Sequence, residues 1–175
     1  MKEIEEEWGK ADVAGSNFLL AASVLSAAAG GKPAEKGRKP WFSLILTLYV
    51  AFMHLFLLRR VLCRNCHYYG RCCCTGWGKL APLWGEKGDE AAFATGLTLP
   101  VFFWATYPVM GAGGILAAFR RDRDASRLKY LGLFILFFVT FNAWHMRRAC
   151  IYCFHREECP KGKAALERVG NEVDL

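Results

Sequence analysis

Residues 41–62 read WFSLILTLYVAFMHLFLLRRVL, and this stretch decides the fold class. Its first 18 residues, Trp41 to Leu58, carry no formal charge, and Arg59-Arg60 close it. A bilayer core of about 30 Å takes roughly 20 helical residues to cross. Lipid offers no water to the backbone, so an apolar run of this length has to be a helix. Trp41 stands where aromatic residues line a membrane interface.

Two further segments repeat the pattern. Residues 91–119 are free of charge, and residues 130–146 are apolar and closed by Arg147-Arg148. Pro100 and Pro108 are expected to kink the former. Gly111, Gly113 and Gly114 are expected to let a neighbouring helix approach. The predicted fold is therefore an all-α integral membrane protein. It has three transmembrane helices, over about 41–62, 91–119 and 130–146, plus a weakly hydrophobic N-terminal helix.

Residues 1–40 form the first region. An acidic start (Glu3, Glu5, Glu6, Glu7) precedes an alanine-rich segment over 11–31 and a basic linker over 32–40. The acidic start is unlike a secretory signal. Asp12, Ser16, Asn17, Ser23 and Ser26 weaken 11–31 as a span. It reads as a helix at the interface or against the bundle, with a fourth span as the alternative. The membrane domain covers 41–148 and encloses a cysteine-rich loop over 63–90. Within that loop Trp77, Leu80, Leu83 and Trp84 suit the headgroup layer. A cysteine-containing tail over 149–175 includes a short helix expected over 163–169.

Composition agrees with this division. The chain has 175 residues, 54% of them hydrophobic, with a net charge of +7 and eight cysteines. Mean hydropathy is only +0.15 because charged connectors dilute apolar blocks. Most basic residues flank those blocks, so the expected partner is the lipid bilayer and not nucleic acid.

The cysteines carry the one specific functional signal. Cys63, Cys66 and Cys72 are spaced C-x2-C-x5-C, and Cys150, Cys153 and Cys159 repeat that spacing 87 residues later. Each triplet begins where a predicted span ends. Two spans separate them, so both face the same side of the membrane. A C-x2-C turn brings two thiolates to one tetrahedral ion. Cys63, Cys66, Cys150 and Cys153 thus make a four-thiolate site, with zinc as the simplest ion. An eight-thiolate scheme adds Cys72, Cys73, Cys74 and Cys159 and suits two iron–sulfur clusters. The same pairs are also the dithiols of thiol–disulfide exchange. Adjacent arginine doublets read as interface anchors.

Other residues are secondary candidates. His145 precedes Cys150 by five residues, about 7 Å of helix, and is placed in a second shell around the site. His54 lies nine residues before Cys63, about 13 Å, too far to ligate, and is expected to bond a neighbouring helix. His67 and His155 read as exposed polar residues. Tyr68, Tyr69, Tyr152 and Phe154 read as interfacial packing. Asn142 and Thr140 are expected to bond between helices. No Ser/His/Asp set, catalytic carboxylate pair or nucleotide fingerprint is evident, which leans against an enzyme.

Positive charge does not choose the orientation. Residues 32–40 and 119–130 hold nine Lys/Arg at high density, while the cysteine side holds more in total. Three adjacent cysteines make awkward disulfides, which favours placing the cysteine face in the cytoplasm. The expected function is a small multi-pass membrane protein with a metal or iron–sulfur site, structural or electron-relaying within an assembly of membrane subunits. Thiol–disulfide oxidoreduction is the first alternative. Soft-metal transport ranks third, since no carboxylate occurs between Trp41 and Leu58 or between Ala91 and Phe119.

Overall fold

The computed structural model describes residues 4–32 and 40–173. Most of the basic linker expected over 32–40 lies outside them. Among the described residues four helices are long and apolar enough to cross a membrane, not three. They fit a multi-pass membrane protein. They are α1 (Lys10–Gly30), α2 (residues 41–61), α3 (Thr98–Asp122) and α4 (Ser126–Arg148).

The serines that count against α1 as a span are what seat it in the bundle. Ser16, Ser23, Ser26, Ala27 and Gly30 are its buried face, while Phe18 and Leu25 point outward. Small residues let helices approach closely where lipid supplies no hydrophobic drive between them. Ser23 Oγ lies 2.8 Å from the Tyr107 hydroxyl of α3 and donates to Leu20 O of its own turn. Ser26 likewise bonds Ala22 O at 2.8 Å. A Cβ on Gly30 would meet Ile115 and the Tyr130 side chain at 2.8 Å. The helix therefore packs against α4 as well as α2 and α3.

The core of the bundle joins Ala27, Leu46, Val50, Met53, Phe103, Tyr107, Ile115 and Phe134. Large apolar side chains on the outside, including Ile45, Leu48, Phe52, Phe102, Val109 and Leu136, stay exposed. A soluble bundle would hide such a girdle; a lipid surface covers it. Residues Phe52–Leu57 of α2 widen into a π-helical turn, a feature that often marks functional sites.

Two details of α3 differ from expectation. Pro100 sits in the first turn, where its missing N–H is no loss. Only Pro108 lies within the helix interior. Of the three glycines, Gly111 admits the Phe134 ring of α4 and Gly114 the Phe42 ring of α2, but Gly113 faces open space. The neighbours enter as aromatic rings. Thr140 is exposed on the outer surface of α4.

The two ends of the bundle are built differently. At one end Arg127 is buried, donating to Gly30 O at 2.7 Å and to Asp122 Oδ2 at 3.1 Å. At the other end lie both cysteine segments and α5 (Pro160–Val173), longer than the helix expected over 163–169.

Candidate functional site: a cavity walled by cysteines

The two triplets fold alike. Each continues from a long helix into a single 3₁₀ turn, Cys63–Asn65 after α2 and Cys150–Tyr152 after α4. In each the fourth residue turns extended, Cys66 at φ −88°, ψ 146° and Cys153 at φ −71°, ψ 140°. The Cys66 N–H bonds Cys63 O and the Cys153 N–H bonds Cys150 O, both at 3.4 Å. The sequence repeat is thus a repeat of backbone shape.

The two loops also grip each other reciprocally. Positions 67 and 154, offset by 87, stack ring on ring, His67 against Phe154 at 3.9 Å and 9°. The His67 N–H donates to His155 Nε2 at 3.2 Å, and the Phe154 N–H donates to the Tyr68 hydroxyl at 3.0 Å. Positions 68 and 155 share the same offset, so each loop's backbone donates to the equivalent side chain of the other. A local two-fold relation follows. His155 is buried, against the expectation of an exposed residue, because its ring stacks on Phe93 at 3.6 Å. With Nε2 accepting, its Nδ1 carries the proton and donates to Glu158 at 3.2 Å. Burial lowers the His155 pKa, so the ring stays neutral.

The segment before α1 straps the pair. The Tyr68 hydroxyl donates to Glu5 O at 2.9 Å, Glu5 N–H bonds Tyr152 O at 3.0 Å, and Trp8 N–H bonds Cys72 O at 3.0 Å. Gly76 supports the first loop with φ of 73°, a left-handed turn that favours glycine. A Cβ on Gly78 would strike the carbonyls of Tyr68 and Arg71.

Between the loops and the helix ends lies a cavity of about 450 Å³. Cys63, Cys66, Cys73, Cys74, Cys150, Cys153 and Cys159 line it, and Cys72 does not. The predicted four-thiolate set draws all its members from this wall. The eight-thiolate scheme draws seven. All eight cysteines are free thiols. Among the described residues no group of three or more His, Cys, Asp or Glu side chains is drawn close enough to hold one metal ion.

Burial dominates the thiols outside the spans. It pushes Cys66 and Cys74 well up and Cys153 up to about 12, and neighbouring sulfurs add to each rise. Hydrogen bonds already point at some sulfurs. Cys73 Sγ accepts from Gly78 N–H at 3.2 Å and lies 3.3 Å from Thr75 Oγ1. His145 Nε2 lies 3.6 Å from Cys74 Sγ, so this histidine adjoins the adjacent-cysteine run.

Two cations on the wall were not singled out by sequence. Arg59 belongs to a doublet read as an interface anchor, yet it is only 4% exposed, whereas Arg60, Arg147 and Arg148 do lie exposed. Its Nη1 donates to Cys63 Sγ at 3.2 Å and its plane lies 3.7 Å over the Trp77 ring. Its Nε and Nη2 have no hydrogen-bond partner. Lys161, at the start of α5, donates to Asn142 Oδ1 at 2.8 Å, and burial lowers its pKa. Asn142 therefore does bond across elements, but to α5. Among the described residues the wall contains no carboxylate to balance either cation. The sequence signal for Lys161 is its place two residues past Cys159.

His54 corrects another expectation. Neither ring nitrogen bonds a neighbouring helix; the ring packs edge-on to Phe103 at 4.8 Å and near Trp104 at 6.2 Å.

The fold and cavity define a class: an α-helical protein with four membrane-length helices and a buried thiol chamber at one end. No protein-family model, curated protein or solved structure matches the chain.

Proposed function

We propose that the chain is a four-span membrane protein whose paired C-x2-C loops hold a metal centre, serving as a structural staple or electron relay. Cys63, Cys66, Cys150 and Cys153 are the proposed ligands, and they would have to draw in from their present spacing to close around a metal. The single observation that carries this reading is the reciprocal packing of the two loops around one sulfur-walled cavity. A four-thiolate centre draws two ligands from each half of such an arrangement.

The charge of the wall supports it. Four thiolates around zinc or an oxidised four-iron cluster sum to about −2. Arg59 and Lys161 supply two positive charges with no carboxylate among the described wall residues. A buried unpaired charge is costly, so a dianionic occupant resolves what the protein alone leaves unbalanced. When bound, an iron–sulfur centre supplies one-electron chemistry; the chain's own residues shield it and donate N–H groups to its sulfurs. A thiolate centre suits a reducing compartment, which puts the cysteine face in the cytoplasm.

Thiol–disulfide exchange is the second reading, favoured by eight free cysteines in two C-x2-C pairs. Burial raises the pKa of Cys66 and Cys153, which works against the thiolates that exchange and metal ligation both require and so does not separate the two readings. Protein purified without oxygen is the test. The metal reading expects bound iron with acid-labile sulfide, or zinc, and thiols protected from alkylation. The exchange reading expects metal-free protein with Cys63–Cys66 and Cys150–Cys153 cycling between thiol and disulfide.

A further inference from the structure

A second cavity, of about 410 Å³, opens where α5 packs against the end of α4. No cysteine lines it among the described residues, so it is separate from the thiol chamber. Each helix gives it one face. Ala143, Met146 and Arg147 come from α4 at i, i+3 and i+4, and Ala165, Arg168 and Val169 come from α5 at the same spacing. Ile151 and Ala165 are buried and close its back, while Ala143, Arg147 and Arg168 are exposed.

Two arginines from different helices thus share one groove with an apolar back. Among the described residues no carboxylate lines it. Like charges facing one groove repel, and an anion between them turns repulsion into attraction. Guanidinium forks match phosphate oxygens in particular. The position of the groove selects the source of the phosphate. Arg147 closes an apolar span, at the level of lipid headgroups. Leu136, Val139, Ala143 and Arg147 are spaced i, i+3, i+7 and i+11, so they lie on one face of α4. All four are exposed, Leu136 at 57% and Val139 at 56%. This outer stripe runs without a break into the groove. A soluble anion would use only the arginines; a phospholipid uses the arginines and the stripe.

We propose that this groove binds one anionic phospholipid, its phosphate held between Arg147 and Arg168 and an acyl chain lying along Ala143, Val139 and Leu136. Arg147 is then more than an interface anchor, because α5 brings it a second arginine. The site rests on the reading of α4 as a span and contains none of the proposed metal ligands, so it stands or falls apart from the metal centre.

The test titrates phosphatidylglycerol with a fluorescent chain into the full-length protein in neutral detergent. Phosphatidylcholine with the same chain is the comparison, since its choline cation cancels the phosphate charge. The expected result is saturable binding, at least about tenfold tighter for phosphatidylglycerol. Arg147→Gln and Arg168→Gln each weaken it about fivefold, and the double variant about twentyfold or more. Both side chains are exposed, so helical circular dichroism stays unchanged in these variants. Arg148→Gln, exposed beside the groove but not lining it, stays within about twofold because a charge without contact is screened. Glycerol 3-phosphate in large excess, the same headgroup chemistry without chains, does not displace the lipid. Equal affinity for the two lipids would overturn the proposal. So would an Arg148→Gln loss as large as that of Arg147→Gln, which would reduce the effect to general surface charge. Full displacement by glycerol 3-phosphate would overturn it too and assign the groove to a soluble anion.

Discussion

The two ends of the bundle handle buried cations in opposite ways. At the end away from the cysteines, Arg127 is only 5% exposed and finds Asp122 and the Gly30 carbonyl. At the cysteine end, Arg59 is 4% exposed and finds one sulfur, one indole face and no carboxylate among the wall residues. At one end the cation faces carboxylates, although its Nε, like that of Arg59, has no hydrogen-bond partner. The other leaves positive charge and sulfurs facing one chamber. A protein tolerates such a deficit where function supplies the missing partner.

Four changes break or sharpen that contrast. The largest effect is expected from Cys66→Ser combined with Cys153→Ser, one ligand from each loop. Bound metal falls to background in elemental analysis, while the helical circular dichroism stays because the spans remain packed. Retention of full metal by this double variant would remove the C-x2-C pairs from the site.

Next is Arg127→Met, at the carboxylate-paired end. It strands the Gly30 carbonyl and leaves Asp122 with Arg121 at 2.7 Å, and costs about 2 kcal/mol in detergent unfolding, with metal content unchanged. Loss of metal in this variant would mean the ends are not independent.

Arg59→Met should change sign with loading. Removing an unpaired buried cation raises the melting temperature of metal-stripped protein. In loaded protein it removes a countercharge and a hydrogen bond to Cys63, lowering the melting temperature and speeding metal loss to a chelator. A shift of the same sign in both states would contradict the charge argument.

The smallest effect is expected from Ser23→Ala. It removes the contact with Tyr107 and costs about 0.6 kcal/mol, the average for such bonds within membrane bundles, seen as a small drop in thermal unfolding.

What was legible in the sequence follows from what each signal depends on. The spans over 41–62, 91–119 and 130–146 show as long runs without charge, broken only by Arg59-Arg60 at the end of the first, because lipid imposes that composition directly. The helix over Lys10–Gly30 was harder, because membrane packing rewards the small polar residues that lower apparent hydropathy. Ser16, Ser23 and Ser26 looked like flaws in a span and are its contact face. The 87-residue offset exposed two equivalent loops. It did not expose the reciprocal grip of Tyr68 and His155, which depends on the loops meeting in space. Arg59 was hidden by its doublet. Both members read as anchors, and only packing against Trp77 shows that one turns inward. His54 stood out as an intramembrane ionisable residue, but only the three-dimensional arrangement reveals that its nitrogens lack partners.

The central claim is that the two loops share one thiolate-held metal centre. Anaerobic purification followed by elemental analysis, acid-labile sulfide assay and an absorption spectrum tests it most directly. The account predicts iron with matching sulfide and a broad visible band, or one zinc per chain without colour. Protein free of both metals, with all eight thiols open to alkylation, would contradict it.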